Sequence, residues 1–194
     1  MNPVTHFLNS WLVANAAGSN RSDRAIITVA GIAPDIDGIG LIADFLARNP
    51  QPNAYYYYQS YHHILAHNLA FGLLVTGLGF LISKRSWKTA LMVFAIFHIH
   101  LLCDLIGSRG PEGYPWPIPY LWPFSDWQLS WIGQWALNAW PNVLITAITL
   151  GITLILAVKR GFSPLEMLSG PADKILVNTL RNSKLIKRKE IINK

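Results

Sequence analysis

The chain has 194 residues, of which 52% are apolar and 13% charged, about half the usual charged share of about 25%. That shortage argues against an ordinary soluble enzyme and for a membrane protein or a very buried bundle, with a length that suits one domain. The net charge of +6 is all in residues 159–194, which hold nine Lys/Arg and three Asp/Glu, while residues 1–158 hold seven of each. A basic tail beside apolar segments favours anionic lipid over nucleic acid as its partner, and a single cysteine, Cys103, excludes an internal disulfide.

In chain order, residues 5–17 read as a short helix and Gly18–Arg24 as a polar turn. No basic side chain precedes Arg21 and no long apolar core lies before Ala17, so no cleavable signal peptide is read. Residues 25–33 are mostly apolar and stop at Pro34. Asp35 and Asp37 follow in a turn, residues 40–48 suit another short helix, and 49–53 form a loop. The Tyr55–Tyr58 run and Tyr61 suit a membrane–water interface. Ile64–Ser83 and Trp140–Val158 carry no charged residue apart from a possible His67, and Thr89–Ile106 is a further apolar stretch. Each is about the length that crosses a bilayer core. Residues 107–126 are rich in Pro, Gly and Trp. In 127–138, Trp127, Trp131 and Trp135 recur at spacings of four, which predicts one helical face. Residues 173–189 read as an amphipathic surface helix carrying Ile175, Leu176, Leu180, Leu185 and Ile186.

The expected fold is all-α: a bundle with about three transmembrane helices, short N-terminal helices and a basic amphipathic tail. A membrane-embedded domain covers 1–160 and the tail 161–194. Segments before residue 50 are short or interrupted, and one suits a re-entrant element. Basic residues at Lys84, Arg85 and Lys88 and after Lys159 orient the spans with both clusters cytoplasmic, so that His62, His63, His67 and Asp104 fall toward the non-cytoplasmic side.

Four motifs bear on chemistry. His100 and Asp104 are four apart and share a helix face, with His98 pointing elsewhere. A carboxylate in the last turn of an apolar helix meets the negative end of the helix dipole, so Asp104 needs a cation: a metal, Arg109 or its own proton. Asp35 and Asp37 in an irregular turn are able to aim at one cation. His63 and His67 have the i, i+4 spacing that chelates zinc on helices, whereas His62 and His67 need a helix start between them. His6 means little alone. No phosphate-binding glycine motif and no nucleophile elbow is present.

Taken in order, Thr5-His6, Pro34-Asp35-Ile36-Asp37, His62-x4-His67, His100-x3-Asp104 and Leu121-Trp122-Pro123-Phe124-Ser125 resemble the motifs of the membrane-bound metal-dependent hydrolase family, itself similar to zinc-dependent phospholipase C. The resemblance covers about residues 1–125. It implies that His6, Asp35, Asp37, His62, His67, His100 and Asp104 are metal ligands or their neighbours. The chain departs at the middle block, where the family's Arg-Gly-x-Thr is His63-Ile64-Leu65-Ala66, which leaves His62 and His63 as alternative ligands.

The leading expectation is therefore an integral protein of a bacterial-type inner membrane acting as a metal-dependent hydrolase. Zinc is the first candidate, then manganese or iron. Metal-activated water would attack an ester or phosphoester of a small-molecule, lipid or lipid-linked substrate, with Asp35 as general base. Membrane lipids are the expected partners and nucleic acid is not. A haem- or quinone-binding protein using His67 with His98 or His100, and a non-enzymatic membrane scaffold, are the alternatives.

Overall fold

Asn2 starts the first helix by accepting the Thr5 amide at 2.9 Å, and Pro3 follows where its missing N–H costs nothing. The computed structural model describes residues 1–47, 56–110 and 113–183. The predicted loop at 49–53, Tyr55, Leu185 and Ile186 lie outside the described residues. The first helix, α1, spans Pro3–Ala16. α2 spans Arg21–Ala30 and starts inside the predicted polar turn, because Asn20 caps it by accepting the Asp23 amide at 3.0 Å. A 3-10 turn, Pro34–Ile39, leads into α3, Gly40–Ala47. The remaining helices are α4, Tyr56–Tyr61; α5, Leu69–Ile82; α6, Trp87–Gly107; α7, Trp140–Arg160; and α8, Gly170–Asn182. The architecture is all-α, with two isolated bridges and no strand among the described residues.

Two helices, α6 and α7, are long and apolar enough to cross a membrane. A third candidate is α2 with Pro34–Ala47, a pair bent by 54°. The span predicted at 64–83 is corrected: α5 has 14 residues, about 21 Å of helix against a core of about 30 Å. Its start is set by Asn68, whose side chain accepts the Phe71 amide at 2.9 Å, and residues 62–68 form a folded loop instead. α5 lies close to α6 because Gly72 and Gly79 have no side chain. A Cβ at these positions would sit 2.8 Å from the Phe97 ring and 3.0 Å from Val93.

α7 is polar inward and apolar outward, the arrangement lipid requires. Asn142, Thr149 and Thr153 are buried, while Val143, Leu144, Ile148, Ile152 and Ile155 are exposed. Thr146 meets Thr5 hydroxyl to hydroxyl at 2.6 Å, and Thr149 donates to Asn9 at 3.3 Å, tying α7 to α1. The apolar core between α1, α2 and α6 holds Ala14, Ile27, Ala30, Val93 and Ile96.

The predicted helical face of Trp127, Trp131 and Trp135 does not form. Backbone groups in 127–138 pair with distant segments: Leu129 with Ile118, and Trp135 with Ile106 and Arg109. The segment caps the end of α6 as an irregular layer. After α7, the buried side chain of Glu166 receives Nε and Nη2 of Arg24 at 2.7 and 2.8 Å. Asp173 accepts the amide and hydroxyl of Ser163 at 2.7 and 2.6 Å, so residues 163–173 are fastened to the body.

Candidate metal centre

Three elements converge at the end of α6: α6 itself, the 3-10 turn 34–39 and the loop 62–68. On α6, His100 and Asp104 share a face and are each 1% exposed. Nδ1 of His100 donates to the Gly31 carbonyl at 2.7 Å. Asp37 accepts Nδ1 of His62 at 2.7 Å, Nδ1 of His67 at 2.9 Å and the Ala66 amide at 3.1 Å. Carbonyl and carboxylate oxygens only accept, so these three rings carry hydrogen on Nδ1 and turn Nε2 elsewhere.

For His67 and His100, Nε2 turns into one small space. The two Nε2 atoms are 3.3 Å apart. Oδ2 of Asp104 lies 3.3 Å from Nε2 of His67 and 2.9 Å from Nε2 of His100, and Oδ1 of Asp35 is 3.7 Å from the latter. One ligand atom from each of these four residues lies within 4.8 Å of the others. A tetrahedron with bonds of about 2.0–2.1 Å to zinc has edges of about 3.3–3.4 Å, close to the observed separations. Oδ2 of Asp104 and Oδ2 of Asp35 are buried without a hydrogen-bond partner among the described residues. Buried carboxylate oxygens of that kind call for a cation.

Asp104 divides its oxygens. Oδ1 accepts the Ser108 hydroxyl at 2.8 Å and Nε2 of His6 at 3.1 Å, and it contacts the Met1 amino group. Oδ2 is left for the centre. His6 also stacks on His100 with ring centroids 3.7 Å apart, so it buttresses both His100 and Asp104. Arg109 makes no ion pair with Asp104 among the described residues, and its Nη2 donates to the Ile132 carbonyl at 3.4 Å.

Charge in the loop follows from burial and neighbours. Burial opposes the cationic form of His67, but the Asp104 and Asp37 carboxylates beside it outweigh that and push its pKa up to about 9. Burial lowers the pKa of His6, with Asp104 acting the other way. Burial lowers that of His63 well below its ordinary value, so His63 is neutral.

Of the predicted residues, Asp35, His67, His100 and Asp104 meet in one group. His6 stands beside Asp104. Asp37 and His62 stand behind His67, and His62, His63 and His67 form a second group. The predicted i, i+4 helical geometry of His63 and His67 is corrected: α4 ends at Tyr61, and His63 has a left-handed φ of 68°. His98 is held away from the centre by the Phe94 carbonyl and the Tyr120 hydroxyl, each at 2.8 Å. Asp126 is exposed.

Sequence reasoning missed Gln134, which is fully buried. Its Nε2 donates to the Asp104 carbonyl at 2.8 Å, and its Oε1 accepts the Trp116 amide at 2.6 Å, joining the Trp-rich segment to α6. A lone Gln among tryptophans carries no such signal. Asp44, which accepts the Tyr57 and Tyr58 amides at 2.8 and 2.9 Å, was detectable as an acid inside a short apolar helix. A cavity of about 430 Å³ opens beside the centre, lined by Asp35, Tyr58, His62, Ser108, Arg109 and Trp116 among others.

Residues 1–172 match the family model described as YdjM inner membrane protein. No curated protein and no solved structure matches the chain. The matched family corrects the resemblance read from the five short motifs, since no hydrolase or phospholipase family is matched. Motifs of two to five residues in an apolar helical chain are short enough to recur in order outside the family they suggest.

Proposed function

We propose that this chain, which belongs to the YdjM inner membrane protein family, is a membrane-bound metal-dependent hydrolase acting on an ester or phosphoester. One observation carries the reading: four ligand atoms from Asp35, His67, His100 and Asp104 converge at metal-chelating distances, with two carboxylate oxygens buried and unpartnered. Mixed imidazole and carboxylate groups at these separations suit zinc first, with manganese or iron as alternatives. A divalent ion held there would supply Lewis acidity and a water of lowered pKa.

The chain's own groups divide the remaining work. His67, His100 and Asp104 are the innermost, each at most 1% exposed. With His67, His100 and Asp104 as the three groups that would hold the ion and the fourth position left to water, Asp35, the member of the group that lines the cavity, suits a general base that takes a proton from that water. Asp37 and the Gly31 carbonyl fix the ring orientation of the two histidines. Arg109 lines the same cavity with its Nε unpartnered among the described residues, a cation that an anionic ester would meet. α3 follows directly on the 3-10 turn that carries Asp35, its Leu41 lines the cavity, and its exposed Leu41, Ile42, Phe45 and Leu46 favour a lipid or lipid-linked substrate. With Lys84, Arg85, Lys88, Lys159 and Arg160 cytoplasmic, the centre faces the non-cytoplasmic side.

Hydrolysis of ester and phosphoester substrates in mixed micelles tests the reading. Chelation should abolish activity and zinc should restore it, and Asp35→Asn should lose turnover by about a hundredfold or more. Turnover unaffected by chelation would overturn it. A haem reading has less support, because the facing His67 and His100 nitrogens are 3.3 Å apart and flanked by carboxylates, leaving no plane for a macrocycle.

A further inference from the structure

His63 is unexplained by the four-residue centre. Its ring is 0% exposed, and neither Nδ1 nor Nε2 has a hydrogen-bond partner among the described residues. Its backbone is held at φ 68°, a conformation non-glycine residues seldom adopt and one that concentrates at functional sites. A buried imidazole with both nitrogens bare has lost its hydration and gained nothing polar in exchange, so a ligand is the natural complement.

Its neighbours supply the other donors. One nitrogen from each of His62, His63 and His67 lies within 4.8 Å of the others. Ring centroids are 4.6 Å apart for His62 and His63, 4.6 Å for His63 and His67, and 5.1 Å for His62 and His67. Trp116 packs over His62 and His63 at 5.1 and 4.5 Å. Asp37 holds His62 by Nδ1, which leaves its Nε2 as a donor to metal. The three rings also form a series in depth. His62 lines the open cavity, His63 and His67 are fully buried, and His67 reaches the four-residue group.

We propose that His62, His63 and His67 form a second, all-imidazole metal-binding position that an ion occupies on its way from the cavity to the four-residue centre. The proposal rests on that centre being a metal site. His67 is common to both positions, and one nitrogen holds one ion at a time, so the two are alternatives and the chain carries one ion at equilibrium. Neutral imidazoles with no carboxylate among them suit zinc, copper and nickel and discriminate against magnesium and manganese. The position therefore selects as well as delivers.

Two measurements on purified full-length protein in detergent test this. In the first, Cu(II) is added to Asp104→Asn, in which the four-residue centre is disabled, and electron paramagnetic resonance reads the ligands. One equivalent should bind with three imidazole nitrogens. Binding should weaken at least about tenfold in both Asp104→Asn/His63→Asn and Asp104→Asn/His62→Gln. Asn is chosen at 63 because it tolerates left-handed backbone, and the His62 variant leaves that backbone untouched. Fewer than three nitrogens in Asp104→Asn, or tight three-nitrogen binding surviving in either double variant, overturns the second position.

The second measurement follows zinc uptake by metal-free protein. His63→Asn should reach the wild-type zinc content but load about tenfold more slowly, in keeping with loss of one liganding group. Unchanged loading overturns the delivery role. Wild-type protein that takes up no zinc overturns the four-residue centre itself, a failure separate from the copper readout on Asp104→Asn.

Discussion

Nε2 of His67 and Nε2 of His100 face each other across 3.3 Å, each ring pinned from behind by a hydrogen bond from Nδ1, to Asp37 and to the Gly31 carbonyl. Two lone pairs at that distance repel unless something positive lies between or beside them. Rigid supports for an arrangement that is unfavourable when empty are what the proposed metal site requires.

A proton is the stand-in when metal is absent, and it sits on His67, whose pKa is pushed up from 6.5 to about 9. The folded pKa lies above the unfolded one, so this proton's stabilisation is fully present below about pH 6.5 and is lost as pH rises through about 9. The melting temperature of metal-free protein should therefore fall from about pH 7 to about pH 9.5, and that of metal-loaded protein should not share this fall. Metal uptake below pH 9 should release a proton, read by calorimetry in buffers of different ionisation enthalpy. A flat melting profile for metal-free protein would remove His67 as the seat of that proton.

Asp37 acts through His62 and His67 and offers no oxygen to the four-residue group. Asp37→Asn keeps the shape and removes the charge that holds both rings. Metal affinity should drop about 10–100-fold, with helix content by circular dichroism unchanged. Unchanged affinity would reduce Asp37 to a loop staple.

His100 and Asp104 were legible because a helix fixes what i, i+4 means, and an acid in an apolar helix has few innocent roles. Asp35 and Asp37 were legible as a pair but not in their division of labour. The 3-10 turn sends Asp35 toward His100 and Asp37 toward His62 and His67, and only the tertiary fold decides which is which. The spacing of His63 and His67 suits one helix face and that of His62 and His67 does not, but histidine spacing alone does not reveal a left-handed backbone at His63. The apolar run continues upstream of Leu69, which lengthens the expected span, but Asn68 caps α5 there. The Trp127–Trp135 spacing matched a helix by coincidence, since the partners that claim its backbone are 11 to 29 residues away, in Ile118 and Ile106.

The Arg24–Glu166 pair gives a stability prediction that leaves the centre alone. Both side chains are less than a tenth exposed, and the guanidinium also lies 4.1 Å from the Phe162 ring centroid. Glu166→Ala leaves a buried cation unpaired and should cost about 3–5 kcal/mol, read by thermal denaturation in detergent. Metal content of the surviving folded protein should match the wild type. A loss under about 1 kcal/mol would mean that water reaches Arg24.

Topology is tested by tags at Ser86, Gly113 and Ser183. Basic residues flank both cytoplasmic ends of the proposed arrangement, so Ser86 and Ser183 should report the cytoplasmic side and Gly113 the opposite side. Finding Ser86 and Gly113 on one side would remove α6 as a span.

The most direct measurement is elemental analysis of purified wild-type, Asp104→Asn and Asp126→Asn protein. Asp104 offers Oδ2 to the centre, while His6, Ser108 and the Met1 amino group occupy Oδ1. Its replacement by Asn preserves shape and deletes the charge that a divalent ion requires. Asp126 is an exposed loop acid and serves as the control. Stoichiometric divalent metal is expected in wild type and Asp126→Asn and at least about a tenfold loss of occupancy in Asp104→Asn, with membrane insertion intact in all three. Full metal content in Asp104→Asn, or none in the wild type, would contradict it.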